Sequence, residues 1–319
     1  KKILIIQNDV LNEDHFNMTD GGSVKVILFA LGANLAIGIA KFIGWAFSGS
    51  ASLLAEGVHS IADCSNQALL LFGGKAAKKA PTATHPLGYG RESFFWSFVV
   101  SLVLFSMGGL FSIYEGIHKL SSKDHLDSIW IGFVVLGVAI LFEGIAFNAC
   151  LKEIKAQNPY GSLLEWYKKS TSPELLTIFT EDAAALMGLV FAAVCLAIAY
   201  FTGDPVWDAI GSIGIGVLLV LTAFFLARET KSLLIGESPA QSLEPEIDKI
   251  VRAVIPGSRI IRYIAQQTGS FEIMVCYKIL RGEITDAAKL VESINEIETQ
   301  VRAKFPQVHW QFVEPDDKV

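Results

Sequence analysis

Six apolar stretches dominate this chain, at approximately 24–47, 52–75, 92–118, 127–151, 173–202 and 206–230. Each is long enough to cross a hydrocarbon core of about 30 Å. Water is absent there, so every backbone amide and carbonyl must be paired within the segment, and a single run can do this only as a helix. The composition agrees: 52% of residues are hydrophobic and only 18% charged, against about 25% charged in soluble domains. A net charge of -6, with no dense basic stripe to neutralise phosphates, excludes nucleic acid as a partner. Cys64, Cys150, Cys195 and Cys276 form no CxxC pair and read as buried free thiols.

The connections between the runs set the orientation. Lys75, Lys78, Lys79 and Arg91 crowd one connection, Lys152, Lys155, Lys168 and Lys169 another, and Arg228 and Lys231 follow the last run. The alternate connections hold none or, in 119–126, only Lys119 and Lys123. Basic loops stay on the cytoplasmic side, which places both termini in the cytoplasm. Residues 1–17 are polar and irregular, and Met18 opens a natural-looking start, so 1–20 is expected to be an added or disordered tail.

The second run is unlike the others. Over 48–74 it reads SGSASLLAEGVHSIADCSNQALLLFGG. His59 and Asp63 are four residues apart, hence one turn apart on one helix face. Glu56 and Asn66 extend that face by about a turn each way. Ionisable groups inside a bilayer are costly and mark an ion or proton pathway by default; imidazole with carboxylate suits a borderline divalent metal. The bland alternative is a buried His–Asp pair that fixes helix packing. Glu143 in the fourth run is a further relay or pairing group, Asn34 an interhelical hydrogen-bonding group, and Glu115 a structural one near a span end. Gly211, Gly214 and Gly216 read as close-packing positions.

After residue 235 the character changes. Residues 238–257 read as an amphipathic helix, 259–280 as two strands around a glycine-containing turn, 285–306 as a second helix and 308–315 as a short strand. The whole chain is therefore expected to be an all-α six-helix transmembrane bundle (21–235) followed by a small cytoplasmic α+β domain (236–319) of order α-β-β-α-β, ferredoxin- or metallochaperone-like.

GSASLLAEGVHSIAD in the second span, HPLGYGRES after it and LLIGESP leaving the sixth resemble the cation diffusion facilitator family over nearly the whole chain, from about residue 20 to 315. HSIAD followed by NQALLLFG, with TEDAAALMG in the fifth span, is most similar to its zinc transporter nine-like branch. The resemblance implies a homodimer that exports Zn2+, or a similar divalent ion, from the cytoplasm in exchange for protons, with no organic cofactor. A compact chain without a transit peptide points to a multi-pass protein of a bacterial inner membrane, with an organellar membrane as the alternative. The resemblance also implies a tail that dimerises, and Arg91 and Glu237 form a hypothetical interlock between tail and membrane domain.

The fifth span departs from the family pattern. Zinc members repeat HxxxD there, but here Asp182 is preceded four residues earlier by Ile178, which cannot ligate. Glu181 lies about 100° around the helix from Asp182, so both cannot aim equally at one ion. The expected core is His59, Asp63 and Asp182, completed by Glu181 or Asn66. An oxygen-richer set still binds Zn2+ but tolerates Mn2+, Fe2+ or Co2+ more readily. Glu56, Glu143 and His85 are candidate relay or accessory groups, although His85, with Thr82 and Tyr89 where companions would stand, makes no metal site alone. His309, Cys276 and the acidic Glu314, Asp316 and Asp317 are the tail's candidate ligands, fewer than the family's binuclear site uses, so dimerisation is its expected role and regulation by metal binding the alternative. The alternatives are an exporter of another metal or a non-transporting scaffold. An intramembrane metalloenzyme lacks any HExxH, nucleophile elbow or phosphate loop.

Overall fold

The computed structural model describes residues 20–122, 129–157, 161–169, 173–239, 242–270 and 272–317. The expected tail at 1–17 and Lys123 lie outside them. Two helices, α1 (Asp20–Ser48) and α2 (Ala51–Ala77), form an antiparallel pair joined at Gly49, whose φ of 65° only glycine adopts without strain. There follow α3 (Glu92–Val103), a π-helical segment (Leu104–Leu110), α4 (Phe111–Ser122), α5 (Ile129–Gln157), a short α6 (Leu163–Lys169), α7 (Pro173–Thr202) and α8 (Val206–Ile235).

Of the six expected spans, four described helical stretches are long and apolar enough to cross a membrane: Glu92–Ser121, Ile129–Lys155, Leu175–Thr202 and Val206–Ile235. The apolar part of α1 among the described residues is shorter, Asn34–Ser48. α2 has the length, but Glu56, His59, Asp63 and Asn66 lower its hydropathy. The third span is not the uniform helix its sequence predicts. Its π turn contains Gly108 and Gly109, and a Cβ at Gly109 would lie 2.6 Å from Val220 Cγ2 on α8. Conversely, a Cβ at Gly216 on α8 would lie 2.8 Å from the Gly109 carbonyl oxygen. The two backbones touch, as small residues allow when helices pack in lipid.

A layer of Leu53, Leu104, Leu136, Leu189, Leu196 and Leu219 fills the helical core. Large apolar side chains face outward: Trp130, Tyr114, Phe224 and Phe201, the last 84% exposed. α6 was not legible in the basic connection before α7. It forms because Trp166 buries itself against Phe179 edge-to-face, with ring centroids 5.7 Å apart.

The expected α-β-β-α-β order follows: α9 (Glu244–Val254), β1 (Ile260–Gly269), β2 (Glu272–Leu280), α10 (Ala287–Lys304) and β3 (Val308–Asp316). The sheet order is β1-β2-β3, with β1 antiparallel and β3 parallel to β2. A parallel neighbour needs a crossover, and α10 supplies it. Ile273, Val275, Tyr277 and Ile279 alternate inward along β2 and meet Ile247, Val251, Ile297 and Val301 of the two helices. Asp286 caps α10, its carboxylate accepting from the Ala288 and Lys289 amides.

The tail meets the helices at one joint. The Glu237 backbone carbonyl beyond α8 accepts from the Gln267 amide at 2.9 Å, and the Ser270 hydroxyl lies 3.1 Å from that of Ser93. Gly90 packs so closely that a Cβ would lie 2.6 Å from the Thr268 carbonyl oxygen. Among the described residues no ion pair joins Arg91 and Glu237, the hypothetical interlock. Backbone and small side chains make the joint instead, because the hairpin turn approaches too closely for long charged side chains to mediate it.

Candidate metal site

The site is built on α2. Ser50 caps the helix, its hydroxyl accepting from the Leu53 amide. Asp208 of α8 accepts from the Ser50 hydroxyl and the Ala51 amide, both at 2.6 Å. A buried carboxylate at a helix N-terminus satisfies donors that would otherwise be orphaned, and it fixes the rotation of α2. The stripe Glu56, His59, Asp63 and Asn66 consequently faces inward, at 0%, 1%, 7% and 0% exposure.

His59 Nδ1 stands 3.4 Å from Asp63 Oδ1, and neither atom makes a hydrogen bond among the described residues; nor does His59 Nε2. Asn66 donates from Nδ2 to Glu181 Oε1 of α7 at 2.7 Å, leaving Asn66 Oδ1 unbonded. Buried polar atoms are almost always paired in folded proteins. Four such unpaired atoms on one face of α2, His59 Nδ1 and Nε2, Asp63 Oδ1 and Asn66 Oδ1, make a set of potential metal ligands. Gly108 of the π segment closes the other side, where a Cβ would lie 3.9 Å from His59 Nδ1.

On α7 the structure brings Glu181 to the stripe, while Asp182 is half-buried beside it and close enough to interact electrostatically with Asp63. Glu181 is preceded four residues earlier by Thr177, fully buried with its hydroxyl unbonded among the described residues. The inward register on α7 is thus Thr177–Glu181, one residue before the Ile178–Asp182 pairing that the sequence comparison uses. The i, i+4 pair of Thr and Glu was the available signal. Among the described residues, no three His, Cys, Asp or Glu side chains already converge as metal ligands. Asn66 Oδ1 and the Thr177 hydroxyl are further buried oxygens without a hydrogen-bond partner among the described residues.

One residue of the cavity escaped the sequence reading. Lys41 is the single charged residue between Val26 and Ser48. It is 1% exposed, and its ammonium donates to Glu56 Oε2 and to the Ser60 hydroxyl, both at 2.9 Å. A lone lysine inside an apolar run was the signal. Glu143 of α5, also buried, interacts electrostatically with Lys41 and Glu56.

The remaining candidates lie elsewhere. His85 is exposed in the connection before α3, with Nδ1 3.1 Å from the Thr84 hydroxyl and its ring against Tyr89. His309 is exposed beside the Gln307 carbonyl. Glu314 and Asp316 are engaged by Lys278 at 3.1 and 2.7 Å, and these two carboxylates hold that ammonium above its ordinary pKa.

Residues 27–235 match the family model for the cation efflux transmembrane domain. Metal tolerance protein C4 of Arabidopsis thaliana is 34% identical over 223 residues, 69% of this chain and 49% of the plant protein. The mitochondrial proton-coupled zinc antiporter SLC30A9 of Xenopus laevis is 34% identical over 224 residues, 70% of this chain and 40% of the relative. An uncharacterized transporter of Methanocaldococcus jannaschii is 27% identical over 70% of this chain and 74% of its own length. The chain thus matches less than half the length of the plant and frog relatives.

Proposed function

The chain belongs to the cation efflux family of membrane metal transporters, in the zinc transporter nine-like branch, and from that premise we propose that it exports Zn2+ from the cytoplasm in exchange for protons. The observation that carries this reading is the meeting of α2 and α7: His59, Asp63, Asn66 and Glu181 are buried together, with unpaired nitrogen and oxygen atoms. Zn2+ is the substrate that one imidazole, two carboxylates and an amide oxygen would accept with four-fold geometry. The oxygen-rich set also admits Mn2+, Fe2+ or Co2+.

In this reading six helices span the membrane, and α2 is tolerated there because its polar stripe never faces lipid. The metal enters from the cytoplasm and meets Asp63, Glu181 and His59. Rocking of the bundle opens the site outward. Protons from that side then compete for the same atoms, because a protonated imidazole or carboxylic acid coordinates poorly. An inward proton gradient thereby drives the metal out. The α+β tail is the cytoplasmic dimerisation domain, and the membrane is a bacterial inner membrane or an organellar one, as the mitochondrial name of the frog relative favours.

The test is uptake of Zn2+ by proteoliposomes under an imposed pH gradient. Wild-type uptake should follow the gradient. Glu181→Ala should remove it, and Asp182→Ala should weaken it by less, about tenfold at most. Loss confined to Asp182→Ala would return the ligand to the other register. A folded wild type that moves none of the four metals would leave the scaffold reading standing.

A further inference from the structure

The Lys41–Glu56 pair is left over once the metal site has been assigned. It lies on the same face of α2 as the ligands, one turn before His59, and links that face to α1. Both side chains are buried, at 1% and 0% exposure. Glu56 Oε2 takes the ammonium, whereas Glu56 Oε1 has no hydrogen-bond partner among the described residues and points at α7, where a Cβ at Gly188 would lie 2.9 Å from it. Burying such a pair is poor value for stability alone: the loss of hydration commonly matches or exceeds the attraction. Packing does not demand a lysine at this position either, since an apolar side chain of similar length would fill the same volume.

We propose that Lys41 is a built-in counter-cation of the transport cavity, a positioning residue that neutralises Glu56 and so limits how tightly the carboxylates one turn away hold a divalent ion. The proposal rests on the transport reading above. Its physical basis is charge counting. Oxygen sites for divalent cations are tuned in affinity chiefly by the number of negative charges around them. The field of a unit charge extends well beyond contact in a dry interior. Lys41 interacts electrostatically with Asp63 and Glu143 as well as with Glu56, so its field reaches the ligand set without its touching the metal. With Lys41 in place, Glu56 adds no net charge to the cavity. Without it, the attraction of Glu56 for a bound divalent ion is no longer offset, and the ion is held too well to leave. An exporter must release its cargo on every cycle, so a tethered cation that weakens binding favours turnover.

The two single substitutions should therefore act in opposite directions. Lys41→Met takes the ammonium away from Glu56; Glu56→Gln takes the carboxylate away from Lys41. The full-length protein, reconstituted in nanodiscs, is titrated with Zn2+ against a competing chelator, and KM and kcat are measured in proteoliposomes. Lys41→Met is expected to bind Zn2+ about tenfold more tightly, with a lower KM and a lower kcat, and Glu56→Gln about tenfold more weakly, with a raised KM. The double variant Lys41→Met/Glu56→Gln restores the charge count and should return the Kd close to wild type. Shifts of the same sign in both single variants, or lost turnover at an unchanged Kd, would overturn the proposal in favour of a packing role. Should Lys41→Met fail to fold, Glu56→Gln and the double variant decide by the same rule. A wild type that binds no Zn2+ at all would instead sink the transport reading, which keeps the two failures distinct.

Discussion

The helical half and the α+β half of this chain are built inside out with respect to each other. In the tail, Val275, Ile279, Ile297 and Val301 are fully buried, while Lys249, Arg252 and Arg302 stand in solvent. In the helical half Phe201, Trp130 and Phe224 point outward, while Lys41, Glu56, His59 and Asn66 are buried to 1% exposure or less. The tail follows the rule for water, where apolar area is driven inward. The helices follow the rule for lipid, where apolar side chains are at home outside and polar ones must turn inward. A polar interior therefore signals function in one half, and its equivalent in the other would be a defect.

The comparison breaks most sharply at His59. His59→Ala is expected to lower transport by about a hundredfold or more, with the fold retained, as judged by circular dichroism and size exclusion. If the variant unfolds instead, His59 belongs to packing, and the helical interior is polar for structural reasons.

In the tail the largest effect should come from apolar truncation. Ile279→Ala removes a side chain with no exposed surface and should cost the tail about 2–5 kcal/mol, read by hydrogen exchange across 244–317. Protection across α2 and α7 should stay unchanged; joint loss would show that the halves unfold as one unit.

At the joint, Gly90→Ala places a methyl group 2.6 Å from the Thr268 carbonyl. A destabilisation of about 1–3 kcal/mol in docking is expected, visible as faster exchange or proteolysis at 266–272 with both halves still folded.

The smallest effect is a surface one. Glu246 accepts hydrogen bonds from Lys249 and Lys304, which hold its carboxyl down at about 2. Since the folded value lies below the unfolded one, its stabilisation is present above the ordinary carboxylate range and is lost as the pH falls through about 2. Glu246→Gln should thus soften the tail slightly at pH 7 and less as the pH falls toward 2, in exchange measurements across that range. Exposed pairs of this kind contribute little.

Much of this was legible beforehand, for reasons tied to particular residues. The order α-β-β-α-β could be read because Ile273, Val275, Tyr277 and Ile279 alternate with period two, whereas Ile247, Ile250 and Val251 follow helical spacing. His59 and Asp63 could be read because polar residues inside an apolar run are costly and conspicuous. The π turn at 104–110 left no trace, since Gly108-Gly109 fits a regular helix just as well. Lys41 was visible but unread, because a lone charge in a run shows no partner until α1 is laid against α2.

The amino-acid sequence alone determined where the long helices lie, that α2 carries a polar stripe, and that a small α+β unit follows. Those properties depend on spacing along one chain and on the solvent each segment prefers. Only the tertiary structure decided that Glu181 of α7 meets Asn66 of α2, that Lys41 answers Glu56, and that Gly90 packs against the Thr268 carbonyl at the joint. Each depends on how one helix is rotated against another, and a difference of 100° is settled by packing across the bundle, which no single segment encodes.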